Sequence, residues 1–108
     1  MKTIIRAHQL KLTDSLRNYT QQKLHKPVQR LVNSPATRLT IKLSYIDSPK
    51  DKSNKRCHIT LSAPHLKPVN IYARDENMYN AIDRAHHTIV RQVKRQQLRK
   101  MNRARRAS

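Results

Sequence analysis

Arg84, His87, Arg91 and Arg95 stand three or four residues apart, the spacing that brings side chains onto one face of a helix. In a helix they form a row about 17 Å long. Guanidinium forks take phosphate oxygens two at a time and stack on bases, so the chemistry this row offers is recognition of a phosphate backbone. Lys94 stands beside the row, and Lys23 and Lys26 add to it from an earlier helix. A charged helix face is ordinarily only solvated. Here Arg84, Arg91, Lys94, Arg95, Arg99, Lys100, Arg103, Arg105 and Arg106 follow Asp83 with no acidic residue among them. Such a face repels itself instead of pairing its charges, and it favours a polyanionic partner.

Other chemistries find less support. His86 and His87 are adjacent on the same helix and point about 100° apart, so they cannot grip one metal ion together. Cys57 and His58 fall on opposite faces of a strand, and no Cys-x-x-Cys or His pair at i and i+4 supplies zinc spacing. No metal or cofactor is expected. A ribonuclease could use two histidines and a lysine for proton transfer, but His8, His25, His58, His65, His86 and His87 read as surface histidines of a basic protein. Asp75, Glu76 and Asp83 read as charges near a helix N-terminus, and Cys57 as a small inert hydrophobe. Tyr19, Tyr45 and Tyr79 lie beside apolar stripes as packing residues. Tyr72 alone points to a polar sheet face, where it could stack a base, although an exposed strand tyrosine is commoner.

The chain has 108 residues, with 24 Lys and Arg against 6 Asp and Glu and a net charge of +18. That length supports one domain with one modest core. The charge works against compaction and asks for nucleic acid or an anionic membrane surface. A single cysteine excludes an intrachain disulfide and fits a reducing cytosol. The start, Met1-Lys2-Thr3-Ile4-Ile5-Arg6, is too polar for a signal peptide, and no stretch approaches the ~18 apolar residues of a membrane span. A cytoplasmic protein with no membrane partner is expected. The absence of glycine excludes phosphate-cradling Gly loops, and the absence of Phe and Trp argues against an RNA-recognition-motif sheet.

The elements that would position the cations follow from periodicity. Residues 2 to 8 read as a strand. Thr13-Asp14 opens a helix with Leu12, Leu16, Tyr19, Leu24, Val28 and Leu31 on one side, and Pro27 predicts a kink or an end near Lys26. Leu39, Ile41, Leu43 and Tyr45 alternate with polar neighbours; so do Cys57, Ile59, Leu61 and Ala63, and then Val69, Ile71 and Ala73. Residues 48–55 read as a loop. Asp75 is the expected N-cap of a long helix with Met78, Ile82, Ala85, Ile89 and Val93 on its apolar face. The fold class is α+β in the order β-α-β-β-β-α. Two helices pack on one face of a four-stranded sheet whose first strand pairs parallel and whose last three form an antiparallel meander. Residues 1–98 make one domain, and 99–108 a flexible basic tail.

Asp75-Glu76-Asn77-Met78-Tyr79-Asn80-Ala81-Ile82-Asp83, then Arg91-Gln92-Val93, together with Leu12-Thr13-Asp14-Ser15-Leu16-Arg17 and Lys23-Leu24-His25-Lys26, give the chain a family likeness. It resembles the ribosome hibernation promoting factor / ribosome-associated inhibitor A family over roughly residues 2 to 100. The resemblance implies a fold related to double-stranded-RNA-binding domains. It also implies a protein lodged in the decoding groove of the small ribosomal subunit, where it excludes messenger RNA and A- and P-site transfer RNA under stress or in stationary phase. Lys23, Lys26 and Arg91 carry over as ribosomal-RNA contacts by motif position; Arg84, His87, Lys94 and Arg95 are added by helical geometry. Thr88 stands where the family usually has Lys, Asn77 where it has Asp, and Ala7 and the Pro64–Pro68 turn lack its glycines. Pro27 is unusual inside the first helix. A short form is expected, monomeric when free, without the second domain of long members, and possible ribosome pairing is left to a separate modulation factor. A generic RNA-binding or ribosomal structural protein fits the composition equally well, and only the family motifs argue otherwise.

Overall fold

Alternating strands and two amphipathic helices assemble in the expected order in the computed structural model, which describes residues 1–47 and 52–107. The strands are β1 (Lys2–His8), β2 (Arg38–Tyr45), β3 (Lys55–Ser62) and β4 (Val69–Asp75). They lie in the order β1-β2-β3-β4, with β1 parallel to β2 and the other pairs antiparallel. Of the loop expected at 48–55, residues 48–51 lie outside the described residues, and Lys55 already belongs to β3.

One sheet face carries Leu39, Ile41, Leu43, Cys57, Ile59, Leu61, Val69, Ile71 and Ala73, all buried. Leu16, Leu24 and Val28 from the first helical rod, and Met78, Ala81, Ile82, Ala85, Ile89 and Val93 from the last helix, close over it. Tyr19, Tyr45 and Tyr79 sit at the rim of this core, not in it; Tyr45 is capped by the Lys55 ammonium 4.6 Å from its ring centroid. Two turns without glycine put Gln9 and His65 in the left-handed region, at φ 58° and 65°. That conformation costs a non-glycine residue roughly 1–2 kcal/mol.

The first rod is continuous through Pro27, contrary to the expected kink or end. It comprises α1 (Asp14–Thr20), a π-helical turn (Gln21–His25) and α2 (Lys26–Leu31). Thr13 caps it by accepting the Leu16 amide at 3.1 Å. A proline ring clashes with the carbonyl four residues back and offers that carbonyl no N–H. Here the turn before Pro27 is widened, with the Lys26 amide reaching back five residues to the Gln21 carbonyl. The Lys23 carbonyl, whose usual partner would be the amide at position 27, accepts instead from His86 Nδ1 at 2.6 Å. Since a carbonyl only accepts, the proton is on Nδ1. His86 is therefore a structural residue, half-buried, where the sequence suggested a surface histidine.

The last helix, α3 (Met78–Ala107), begins three residues after Asp75, which ends β4. Asn77 is the cap, its Oδ1 accepting from the Tyr79 amide at 2.8 Å, while Asp75 Oδ1 accepts from the Asn77 amide at 3.0 Å. The helix runs on past Leu98, so residues 99–107 are helical, as a stretch of Arg, Lys, Met, Asn and Ala without Gly or Pro allows. Three polar ties fix α3 against the first rod. Tyr19 donates to Asp83 at 2.5 Å, His86 to the Lys23 carbonyl, and Gln97 Nε2 to the Leu31 carbonyl at 2.8 Å. Gln96 adds a fourth, to the β3–β4 turn, accepting from the Lys67 amide and donating to its carbonyl.

His86→Ala leaves the Lys23 carbonyl without its partner and is expected to cost about 1–3 kcal/mol in urea unfolding. In a Pro27→Ala background the cost shrinks, because the restored amide can take that carbonyl; an unchanged penalty contradicts the account. Burial pushes the Cys57 thiol up to about 12. It should resist iodoacetamide at pH 8 in the native protein and react only on unfolding.

Candidate nucleic-acid interface

A helix of 30 residues, about 45 Å long, has one stripe to bury and the rest to expose. With the apolar stripe on the sheet, His87, Arg91, Lys94 and Arg95 all fall on the outer side and are exposed. They line one shallow trough along α3, together with His86, Val90 and Leu98. Four of the seven residues expected at the interface are thus brought together.

Arg84 is exposed but turned away from that trough. Its Nε lies 3.3 Å from Asp75 Oδ2, and it borders a second concavity at the β4 edge with Tyr72, Arg74 and Thr88, which meets the trough at His87. The Asp75 carboxyl is held below the usual carboxylate range by the Asn77 amide, with smaller help from Asn80 and Arg84. It stays ionised at neutral pH and offsets the Arg84 charge. Thr88 donates its hydroxyl to the Arg84 carbonyl at 3.0 Å, a local bond that leaves no cation at that position.

The first rod contributes less directly. Lys23 is half-buried, its ammonium 5.9 Å from the Tyr19 ring centroid and its carbonyl bound by His86 at the edge of the trough. Lys26 is exposed one turn further on, and among the described residues no hydrogen bond or ion pair joins it to α3. The periodicity that found the row could not show the Asp75–Arg84 pair, nine residues apart across a strand–helix junction. Cations missed there line a third recess, where Lys67 from the β3–β4 turn meets Arg99, Lys100 and Arg103.

Tyr19 holds the two helices together at this end. Its ring meets Tyr79 edge-on at 4.9 Å, and its bond to Asp83 raises the phenol to about 12, with burial adding to the rise. Among the described residues no three His, Cys, Asp or Glu side chains gather into a metal site, and no helix is long and apolar enough to cross a membrane.

These features define a small α+β domain that presents clustered cations along one helix. Residues 3–101 match the family described as sigma 54 modulation protein / S30EA ribosomal protein, and the chain belongs to that family. The likeness read from Asp75–Asp83 and the first helix is thereby borne out. Among solved structures, the N-terminal domain of Protein Y from Thermus thermophilus is similar at 27% identity and a TM-score of 0.69, over 88% of this chain and 98% of that one. A ribosomal subunit interface protein from Coxiella burnetii shares the fold at 19% identity and a TM-score of 0.70, over 91% and 99%. No curated protein matches the chain in sequence.

The bond to Asp83 favours the neutral phenol, so its contribution to stability is full below the ordinary tyrosine pKa near 10 and is lost as pH rises through about 12. In an ultraviolet titration one tyrosine should ionise near pH 12. Asp83→Asn should bring it down toward 10.

Proposed function

We propose that the protein is a ribosome hibernation factor that acts by occlusion, without chemistry. It occupies the decoding groove of the small subunit, where messenger RNA and A- and P-site transfer RNA would bind, and holds ribosomes inactive under stress or in stationary phase. The observation that carries this reading is the exposed cluster His87, Arg91, Lys94 and Arg95 on a rigid helix, in a chain with no acidic residue beyond Asp83. Lys23 and Lys26 extend the cationic surface onto the first rod, and Arg84 contributes once a phosphate competes with Asp75. Family membership supports the ribosome as partner. So does the likeness to a Thermus thermophilus domain of Protein Y and to a Coxiella burnetii ribosomal subunit interface protein.

The physical logic is shape with charge. Folded ribosomal RNA is read mainly through its backbone and surface form, and basic side chains spaced along a rigid helix can match such a surface. The free protein is a cytoplasmic monomer on this reading, and any pairing of ribosomes falls to a separate modulation factor. Binding also relieves the domain's self-repulsion and raises its apparent stability.

Arg91→Glu combined with Arg95→Glu should weaken binding to small subunits by well over tenfold, with the circular dichroism spectrum unchanged. If about six phosphates are neutralised, log K for the wild type falls with log salt at a slope of roughly −4 to −5. Unchanged affinity in the double variant removes the helix face from the mechanism.

A further inference from the structure

The helices cover one face of the sheet and leave the other open. Strand register places Arg6, Lys42, His58 and Tyr72 side by side across all four strands on that open face, in a row about 14 Å long. The adjoining row sets Arg56 opposite Arg74, and Lys2 stands opposite Arg38 at the far end. Like charges directly across a ladder destabilise a sheet. Three such pairs occur here, counting Arg6 with Lys42, and among the described residues no acidic side chain stands at an outward strand position. An ordinary solvated sheet face alternates its charges. This one is arranged as if an anion were to lie on it.

The aromatic pair on the same face is already ordered. Tyr72 is 57% exposed, and its ring stacks on His58 with centroids 4.1 Å apart and planes 6° from parallel. The Arg56 guanidinium lies 5.4 Å from the Tyr72 centroid, and His58 Nε2 donates to Asn70 Oδ1, which fixes the imidazole in the stack. A column of parallel π-planes flanked by cations is the recurrent design for holding an unpaired base and its phosphates. A duplex offers it nothing, because base faces are hidden inside the helix.

We propose that the open sheet face is a second RNA-binding surface. It takes a single-stranded segment, with an unpaired base extending the His58–Tyr72 stack and Lys42 and Arg56 neutralising the flanking phosphates. The protein is then gripped between two RNA elements, one on the α3 trough and one on the sheet. The site adjoins the helix face at the β4 edge, where Tyr72 and Arg74 share a recess with Arg84 and His87, but it does not depend on which ribosomal groove that face enters.

The test is fluorescence anisotropy with a labelled twelve-residue oligouridine, which has no structure of its own, at fixed salt. Tyr72→Leu removes the ring without changing charge and should weaken binding about tenfold, whereas Tyr72→Phe stays within about twofold of wild type. The same tenfold effect should persist in the Arg91→Glu, Arg95→Glu background, where ribosome binding through the helix is lost. Tyr72→Leu binding as tightly as wild type, or a difference that vanishes in that background, overturns the proposal. Should Tyr72→Leu fail to fold, ring-proton shifts in the wild type decide the matter. Upfield movement of the Tyr72 and His58 signals on adding oligouridine supports stacking, and unmoved signals overturn it.

Discussion

The inner face of the sheet, running through Leu39, Ile41, Leu43, Ile59, Leu61 and Ile71, is the surface on which the rest of the molecule depends. A chain with a net charge of +18 pushes itself apart, and no disulfide or described metal site opposes that repulsion. What opposes it is apolar area, brought out of water by two helices that each offer a single stripe to the same sheet face. The cations are left where the stripes are not. They lie along the outer side of α3, on the rim of the first rod and across the uncovered face of the sheet. The distribution of charge is thus a direct consequence of which faces the core consumes.

Apolar packing alone does not fix the register of one helix against another. The polar ties do that. Tyr19 with Asp83, the Lys23 carbonyl with His86 and the Leu31 carbonyl with Gln97 lock three successive levels of the helix pair. The middle tie is enforced by Pro27, because the ring that denies Lys23 its ordinary partner also leaves its carbonyl for an imidazole from the neighbouring helix. Lys23 is held beside the α3 trough as a result. The backbone that carries His87, Arg91, Lys94 and Arg95 is already helical when it meets a phosphate surface, so the entropy lost there on binding is that of the side chains alone.

Much of this was legible in the sequence, because alternation and helical spacing report which side of an element is buried. Apart from Tyr45, which sits at the rim, the apolar positions of β2, β3 and β4 and the stripe of α3 were read correctly, down to the outward aim of Tyr72. What periodicity cannot carry is partnership across distance. Asp83 meets Tyr19 from 64 residues away and His86 meets the Lys23 carbonyl from 63. Pro27 therefore read as a break, when a partner elsewhere in the fold lets the rod continue. Asp75 read as a cap because capping chemistry suits it equally with Asn77, and only the strand's end at Asp75 decides between them. The pair with Arg84 was hidden for the same reason. A set of six cationic side chains and His87 was recoverable from spacing and motif, but which of them share one trough was not.

We infer that this domain occupies a transfer-RNA and messenger-RNA site on the small ribosomal subunit by fit and charge. Sedimentation of the purified protein with small subunits, in the presence of increasing initiator transfer RNA, tests it most directly. The account predicts stoichiometric co-sedimentation with the small subunit that is lost as transfer RNA is added. Equal binding to any structured RNA, undisturbed by transfer RNA, would contradict it and leave a generic basic RNA-binding domain.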